Sequence, residues 1–151
     1  MKRYMPLAAL SMVLLISGCS TLGFLAPAKP DGAEIAGLIN AGDWESLSAK
    51  SGSPFLLDRE MIMRQADMQE FWKILAEGGF RLGEAEVSIL DEEATAARYG
   101  QGLEIEQFFA KYVPSGASTF LIQSEAGRFY LTVGRDSKRT NRIYAFAGPT
   151  G

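Results

Sequence analysis

Cys19 is the residue in this 151-residue chain whose type and setting point most directly to a chemical event. It is the sole cysteine, and the chain contains no histidine. Lys2 and Arg3 open the chain, and the run Leu7–Ile16, apolar except at Ser11, leads towards Cys19. Cationic residues, a short apolar run and small residues before a cleavage point are typical of a secretory signal peptide. The run is too short for a bilayer-spanning helix, which needs about 20 residues.

The residues Ile16–Cys19 resemble the lipobox of bacterial lipoproteins, in which an aliphatic residue and two small ones precede an obligatory cysteine. The resemblance implies that Cys19 carries a diacylglyceryl thioether and that the chain is cleaved after Gly18. The new amine of Cys19 is then acylated with a fatty acid, for which palmitate is the marker. Residues 1–18 are then the signal peptide, and acyl chains hold the protein on a membrane. Ser20 stands where an Asp would retain an enteric-type lipoprotein at the inner membrane, so the resemblance implies the outer membrane, facing the periplasm. The alternatives are an ordinary exported protein with a free or buried cysteine and an uncleaved transmembrane anchor.

The composition of the mature chain argues against several classes of site. With Cys19 lipidated, no thiol remains for a disulfide, a nucleophile or a metal ligand, and the lack of histidine removes imidazole bases and ligands. We therefore expect no metal and no cofactor. Loss of Lys2 and Arg3 leaves 13 cationic against 18 acidic residues, so the formal charge falls from −3 to −5. An acidic domain offers no electrostatic basis for binding nucleic acid.

A carboxylate beside a tyrosine hydroxyl is the catalytic arrangement that this composition still allows. An isomerase-like site needs a carboxylate of raised pKa and a Tyr donor in an apolar cavity. The candidates by residue type are Asp58 or Asp91 with Tyr99, Tyr130 or Tyr144. Because no spacing links them, the sequence favours a protein without catalytic residues.

The elements that must position any site begin after a tether, residues 19–30, and occupy a single α+β domain, residues 31–149. Capping residues and helical spacing predict one helix from Asp31 to Gly42 and a second helix after Asp43. Apolar runs at 55–57 and 61–63 predict a small hairpin.

The third helix has the clearest pattern in the chain. Met68, Phe71, Trp72 and Leu75 stand at i, i+3, i+4 and i+7, which places them on one helical face. Gly78 and the glycine after it supply a C-terminal stop. We expect this face to pack against the sheet.

The second half of the domain predicts a strand, a helix and a closing sheet. Residues 86–89 alternate as a half-buried strand does, and residues 91–102 indicate a loop or a frayed helix. Helical spacing returns at 105–112. Three β-rich runs then predict an antiparallel meander, at 120–122, 129–133 and 143–146.

Both faces of this meander carry apolar side chains. Alternation places Tyr130 opposite to its neighbours, and Tyr144 and Phe146 opposite to Ile143 and Ala145. A sheet that is apolar on both faces is either covered on both or lines a cavity with one of them.

The order of elements, with Gly42-Asp43-Trp44 between two helices, Phe71-Trp72 within the third and a closing antiparallel sheet, is similar to the nuclear transport factor 2 / ketosteroid isomerase superfamily. The resemblance implies N-terminal helices packed on a curved antiparallel sheet, as a cone-shaped α+β roll with a pocket. Trp72, Tyr130 and Tyr144 are the residues we expect to line such a pocket. The helix at 105–112 departs from the simplest form of that fold. Superfamily members include both enzymes and binding domains, so the fold alone does not assign a function.

Cationic residues concentrate near the end of the chain, at Arg128, Arg135, Lys138, Arg139 and Arg142. They suit anionic lipid headgroups or an acidic partner, and they equally suit a solvated sheet edge that resists aggregation.

Together these patterns predict a membrane-anchored lipoprotein of the bacterial cell envelope that acts as a non-catalytic binding or accessory domain. The expected partners are the membrane, an envelope protein or a small apolar ligand. The alternative is a small isomerase- or dehydratase-like enzyme with a buried carboxylate and a Tyr in the cone-shaped pocket.

Overall fold

A computed structural model of the chain describes residues 29–149; Cys19, the expected signal peptide and most of the expected tether lie outside the described residues. Within them no helix combines the length and the hydropathy of a membrane-spanning segment. Five helices and six strands follow one another in the order α1 (Gly32–Ala41), α2 (Trp44–Lys50), β1 (Ser51–Leu57), β2 (Glu60–Ile62), α3 (Gln65–Glu77), β3 (Ala85–Ile89), α4 (Glu92–Tyr99), α5 (Leu103–Tyr112), β4 (Ser118–Ser124), β5 (Gly127–Arg135) and β6 (Asn141–Ala147).

The strands form one open, curved sheet in the order β2-β1-β6-β5-β4-β3. All neighbours are antiparallel except β1 and β6, which run parallel. The predicted α+β class and the closing meander β4-β5-β6 are therefore confirmed. The parallel β1–β6 pair joins the first hairpin to that meander.

The first two helices begin and end at the predicted capping residues. The Asp31 carboxylate accepts hydrogen bonds from the backbone N–H groups of Ala33 and Glu34 at the start of α1. Gly42 ends this helix with φ of 69°, a left-handed conformation that glycine adopts without strain. Asp43 then caps α2 through the N–H of Ser46.

The larger of two hydrophobic cores lies between α1–α3 and one face of the sheet. The predicted face of α3 packs there, with Met68 and Trp72 fully buried and Phe71 and Leu75 beside them. Its other fully buried members come from α1, α2 and the strands, among them Ile35, Leu47, Phe55, Ile122, Leu131 and Ile143.

The second core lies on the opposite face, beneath α4 and α5. Residues 92–99, within the segment predicted to be a loop or a frayed helix, form a regular helix that Asp91 caps through the N–H of Ala94. The helix α5 lies where helical spacing predicted it. Both faces of the sheet are thus covered, and the buried residues on this side are Leu56, Tyr99, Phe108, Ala145 and Ala147.

The expected alternation along β6 is wrong at one point. Thr132 pairs with Ala145 but Val133 pairs with Ile143, so Tyr144 is an extra residue in the ladder. As a result Tyr144 and Ala145 both pack in the second core, while Phe146 packs in the first. Alternation cannot reveal such a shift, because the extra residue changes the phase of every residue after it.

The five cations expected around the last hairpin all belong to it, but they do not all lie at its turn. Arg128 and Arg135 lie at opposite ends of β5, which are about 23 Å apart at a rise of about 3.3 Å per residue. Arg128 lies beside the β4–β5 turn, whereas the other four cations lie at the β5–β6 turn.

A fragment from Lys29 to Gly151 is expected to fold without the lipid, because both cores are built entirely within residues 29–149. Its thermal unfolding should be cooperative, with near-UV and far-UV circular dichroism changing together. A fragment that begins at Asn40, and so lacks most of α1, is the matched control and should melt at a lower temperature. Non-coincident, broad transitions of the longer fragment would contradict this prediction.

Candidate functional site

The three residues expected to share a pocket are divided between the two faces of the sheet. Trp72 is 1 % exposed in the first core, whereas Tyr130 and Tyr144 pack against the second. Cys19, the expected site of lipid attachment, lies outside the described residues. The predicted pocket residues are therefore not brought together.

The space around Trp72 is filled by aromatic rings. The ring centroids of Phe71, Phe146 and Phe55 lie 4.8, 5.4 and 6.2 Å from that of Trp72. The indole N–H donates a 2.8 Å hydrogen bond to Oγ of Ser51, which satisfies its buried donor. The cavity beside the indole has a volume of about 10 Å³, near the smallest that holds one water molecule. This side of the sheet is packed core.

Neither candidate carboxylate occupies a buried site facing a tyrosine hydroxyl. The Asp58 side chain is 55 % exposed and accepts a 2.9 Å hydrogen bond from Arg98. Asp91 is exposed and caps α4. The arrangement that an isomerase-like mechanism requires is thus not formed by the residues proposed for it.

A groove of about 410 Å³ lies on the other face of the sheet, among the β3–α4 connection, the end of α5 and the first residues of β4. A recess of about 280 Å³ between α4 and α5 shares three of its lining residues, Glu92, Thr95 and Phe109. The groove and the recess are therefore neighbours along one wall. Apolar side chains contribute much of the groove lining, including Ile89, Leu90, Val113 and Pro114.

A chain of three hydroxyl groups begins in the polar lining of this groove and ends at the wall of the recess. The Oγ1 atoms of Thr119 and Thr132 lie 2.9 Å apart, and Thr132 makes a longer, 3.4 Å hydrogen bond to the hydroxyl of Tyr99. Both threonines are buried and line the groove, whereas Tyr99 lines the recess. When Thr132 donates to Tyr99 and Thr119 donates to Thr132, a lone pair of Thr119 remains for a ligand in the groove, whereas Tyr99 is fully buried behind the two threonines.

Burial decides the protonation state of Tyr99. The side chain is fully buried, and this desolvation raises the pKa of its hydroxyl well above the ordinary value, against smaller opposing effects of the Thr132 hydrogen bond and the Arg98 charge. The hydroxyl therefore stays neutral and acts as a hydrogen-bond donor or acceptor. It does not act as an ionised base near neutral pH.

Arg98 fastens α4, and with it Tyr99, to the sheet. Its Nη2 donates to Oδ1 of Asp58 at 2.9 Å and to the carbonyl oxygen of Gly148 at 3.1 Å. Its guanidinium lies 4.9 Å from the centroid of the Tyr130 ring, a cation–π distance. Tyr130 and Asp58, which sequence reasoning considered for catalysis, thus help to hold the wall of the groove in place.

Pro114 closes the other wall of the groove against the sheet. A methyl group added at Gly134 would come within 2.7 Å of the Pro114 ring and 2.9 Å of Tyr144. Glycine at this position of β5 allows the end of α5 to approach the strand closely.

Charge distinguishes the mouth of the groove from its interior. Asp91 and Glu92, both exposed, lie at the N-terminal end of α4, and among residues 29–149 no cationic residue lines either space. Within residues 29–149, no group of three or more acidic side chains is arranged to hold a metal ion. The site therefore suits a small ligand with an apolar body and a neutral or cationic polar end.

Sequence reasoning missed Thr119 and Thr132. Thr132 carried a readable signal, because it stands two residues after Tyr130 and so shares its face, where a buried hydroxyl needs a polar partner. Thr119 had no such signal, since only strand register places it beside Thr132.

No protein-family model matches this chain, and no curated protein matches it either.

Proposed function

We propose that this protein is a lipid-anchored lipoprotein of the bacterial cell envelope whose domain binds a small ligand in the groove between α4, α5 and the sheet. The lipobox-like residues Ile16–Cys19 support the anchor, and Ser20 supports the outer membrane as its place, facing the periplasm. The observation that carries the binding proposal is the chain of hydroxyl groups that begins in the groove at Thr119 and runs through Thr132 to the buried Tyr99. A non-catalytic role is favoured because neutral hydroxyl groups can form hydrogen bonds to a ligand but do not act as ionised bases.

The ligand we propose has an apolar, preferably aromatic, body and a cationic or neutral polar end. Phe109 and Val113 supply apolar contact for such a body, and Glu92 supplies negative charge beside both the groove and the recess. An anionic ligand is disfavoured because Asp91 and Glu92 repel it and none of the described residues that line the groove is an arginine or a lysine.

Phenethylamine and phenylacetate are matched probes for this proposal, since they have similar shapes and opposite charges. We expect phenethylamine to bind the Lys29–Gly151 fragment and phenylacetate not to bind. Glu92→Gln should weaken amine binding several-fold, because exposed charges contribute modestly. Glu86→Gln, on the exposed edge of β3 and outside the groove, is the matched control and should leave binding unchanged.

Ligand-detected saturation-transfer NMR measures this binding, and Thr132→Val tests the hydroxyl chain. That variant keeps the volume of the side chain but removes the hydroxyl that links Thr119 to Tyr99. Equal signals from both probes, or an amine signal that neither Glu92→Gln nor Thr132→Val reduces, would contradict the proposed site.

A further inference from the structure

The described chain begins beside the β5–β6 turn, because Arg135 holds it there. Nε of Arg135 donates a 2.9 Å hydrogen bond to the carbonyl oxygen of Lys29. The same guanidinium donates through Nη1 to the carbonyl oxygen of Arg139 at 2.6 Å, so one side chain ties the turn to the incoming tether. The tether therefore enters the domain at this end of the sheet.

The same end of the domain carries an excess of positive charge. We call it the basic end and define it by Lys29, Asp31 and residues 135–142, which together contain five cationic and two acidic residues. The domain as a whole, residues 29–149, has 13 cationic and 18 acidic residues and thus a formal charge of −5. The charge of the basic end is therefore opposite in sign to that of the rest.

The acidic residues of the basic end stabilise its backbone, whereas two of its cations face solvent. Asp31 caps α1, and Asp136 accepts hydrogen bonds from the N–H groups of Lys138 and Thr140 within the turn. Lys138 and Arg139 are exposed at the tip of the turn. They are free to meet an anionic surface without breaking the contacts that form the turn.

The far end of the sheet has the opposite character. It contains the β1–β2 and β4–β5 turns, where Arg59 and Arg128 stand among acidic residues at Asp58, Glu60 and Glu125. Asp91 and Glu92, beside the groove, lie at the same end of the sheet as the β5–β6 turn, but on the side of strand β3. Between these three places, cationic residues outnumber acidic ones only on the β5–β6 and α1 side of one end.

We propose that the basic end binds the anionic headgroups of the membrane that carries the lipid on Cys19, an inference that rests on the proposed lipid anchor. Lys29 is the tenth residue after Cys19, so a fully extended reach of about 35 Å limits the distance between the basic end and the membrane. A tether of this length lets the basic end touch an anionic leaflet, and each cationic residue within a Debye length of the surface then adds about a five-fold gain in binding. The domain therefore contacts the membrane through its basic end, and the β4–β5 turn points away from the membrane.

Single-cysteine labelling of the full lipidated protein tests this orientation, because the Cys19 sulfur is blocked by its lipid. Ser137→Cys places a fluorophore at the basic end, and Ala126→Cys places the same fluorophore at the β4–β5 turn; both residues are exposed. The protein is reconstituted into vesicles that contain headgroup spin-labelled lipid, made from phosphatidylcholine alone or with phosphatidylglycerol. We expect strong quenching at position 137, increased by phosphatidylglycerol, and little quenching at position 126.

Two double variants, each of which removes two positive charges, provide the comparison. Lys138→Gln with Arg139→Gln should lower the ratio of docked to undocked domain by roughly thirty-fold, since two cations are lost at the surface. Arg59→Gln with Arg128→Gln removes the same charge from the far end and should leave quenching at position 137 unchanged. High salt should reduce the quenching as well, because it shortens the range of the attraction.

The outcomes separate the docking from the anchor. Two results with anchored protein would overturn the docking alone: equal quenching at positions 126 and 137, or quenching that phosphatidylglycerol does not change. Either result would favour an acidic protein as the partner of the basic end. Protein that carries a second labelled thiol at Cys19 and pellets with neither vesicle would overturn the anchor, and the docking proposal with it.

Discussion

Replacement of Trp72 by alanine is expected to lower the free energy of unfolding by about 3–5 kcal/mol, the usual range for emptying a large buried aromatic site. The side chain is 1 % exposed, and three phenylalanine rings surround it. These rings come from α3, β1 and β6, so the surroundings cannot fill the space without a shift of α3 relative to the sheet. Urea unfolding of the Lys29–Gly151 fragment, followed by far-UV circular dichroism, measures the loss.

Two variants separate packing from hydrogen bonding at this site. Ser51→Ala removes the acceptor of the indole N–H and should cost about 1–3 kcal/mol, the penalty of a buried donor without a partner. Trp44→Ala is the matched tryptophan control; Trp44 is only partly buried, and we expect a loss of about 1 kcal/mol. A loss at Trp72 no larger than that at Trp44, together with ligand-dependent quenching of Trp72 fluorescence in a Trp44→Phe background, would contradict the packed core and indicate a binding site.

Replacement of Cys19 by alanine is expected to abolish both palmitate incorporation and membrane association. The thioether of a lipobox protein requires a thiol, and Cys19 is the sole cysteine of the chain. No helix in residues 29–149 is long and apolar enough to cross the bilayer and so replace the lipid as an anchor. Radiolabelled palmitate and fractionation of cell membranes measure the two effects.

Changes at Ser20 are the matched controls for the Cys19 variant. Ser20→Ala leaves Ile16–Cys19 intact, so lipidation and membrane association should match those of the unaltered protein. Ser20→Asp should also be lipidated, and by the sorting rule of enteric-type lipoproteins it should move to the inner membrane. Palmitate incorporation into Cys19→Ala equal to that of the unaltered protein would contradict the lipid anchor.

Local patterns predicted the elements of this domain well because each depends on nearby residues. Asp31 and Gly42 bound the first helix as capping chemistry requires, and the spacing of Met68 to Leu75 predicted the buried face of α3. The helix α4 was harder to predict because its exposed residues are polar or small. Tyr99, at its end, is the residue of α4 that is fully buried.

The sequence by itself determined the α+β class, the order of the elements other than α4, and the presence of apolar side chains on both faces of the final sheet. Only the tertiary structure decided which residues meet. It placed Trp72 and Tyr130 on opposite faces, shifted the phase of β6 at Tyr144, and brought Tyr99 of α4 to Thr132 of β5. Periodicity reports the environment of a residue within its own element, whereas strand order, register and helix docking arise from contacts between residues far apart in the chain. The candidate groove is built from such contacts, and for that reason it could not be read from the sequence.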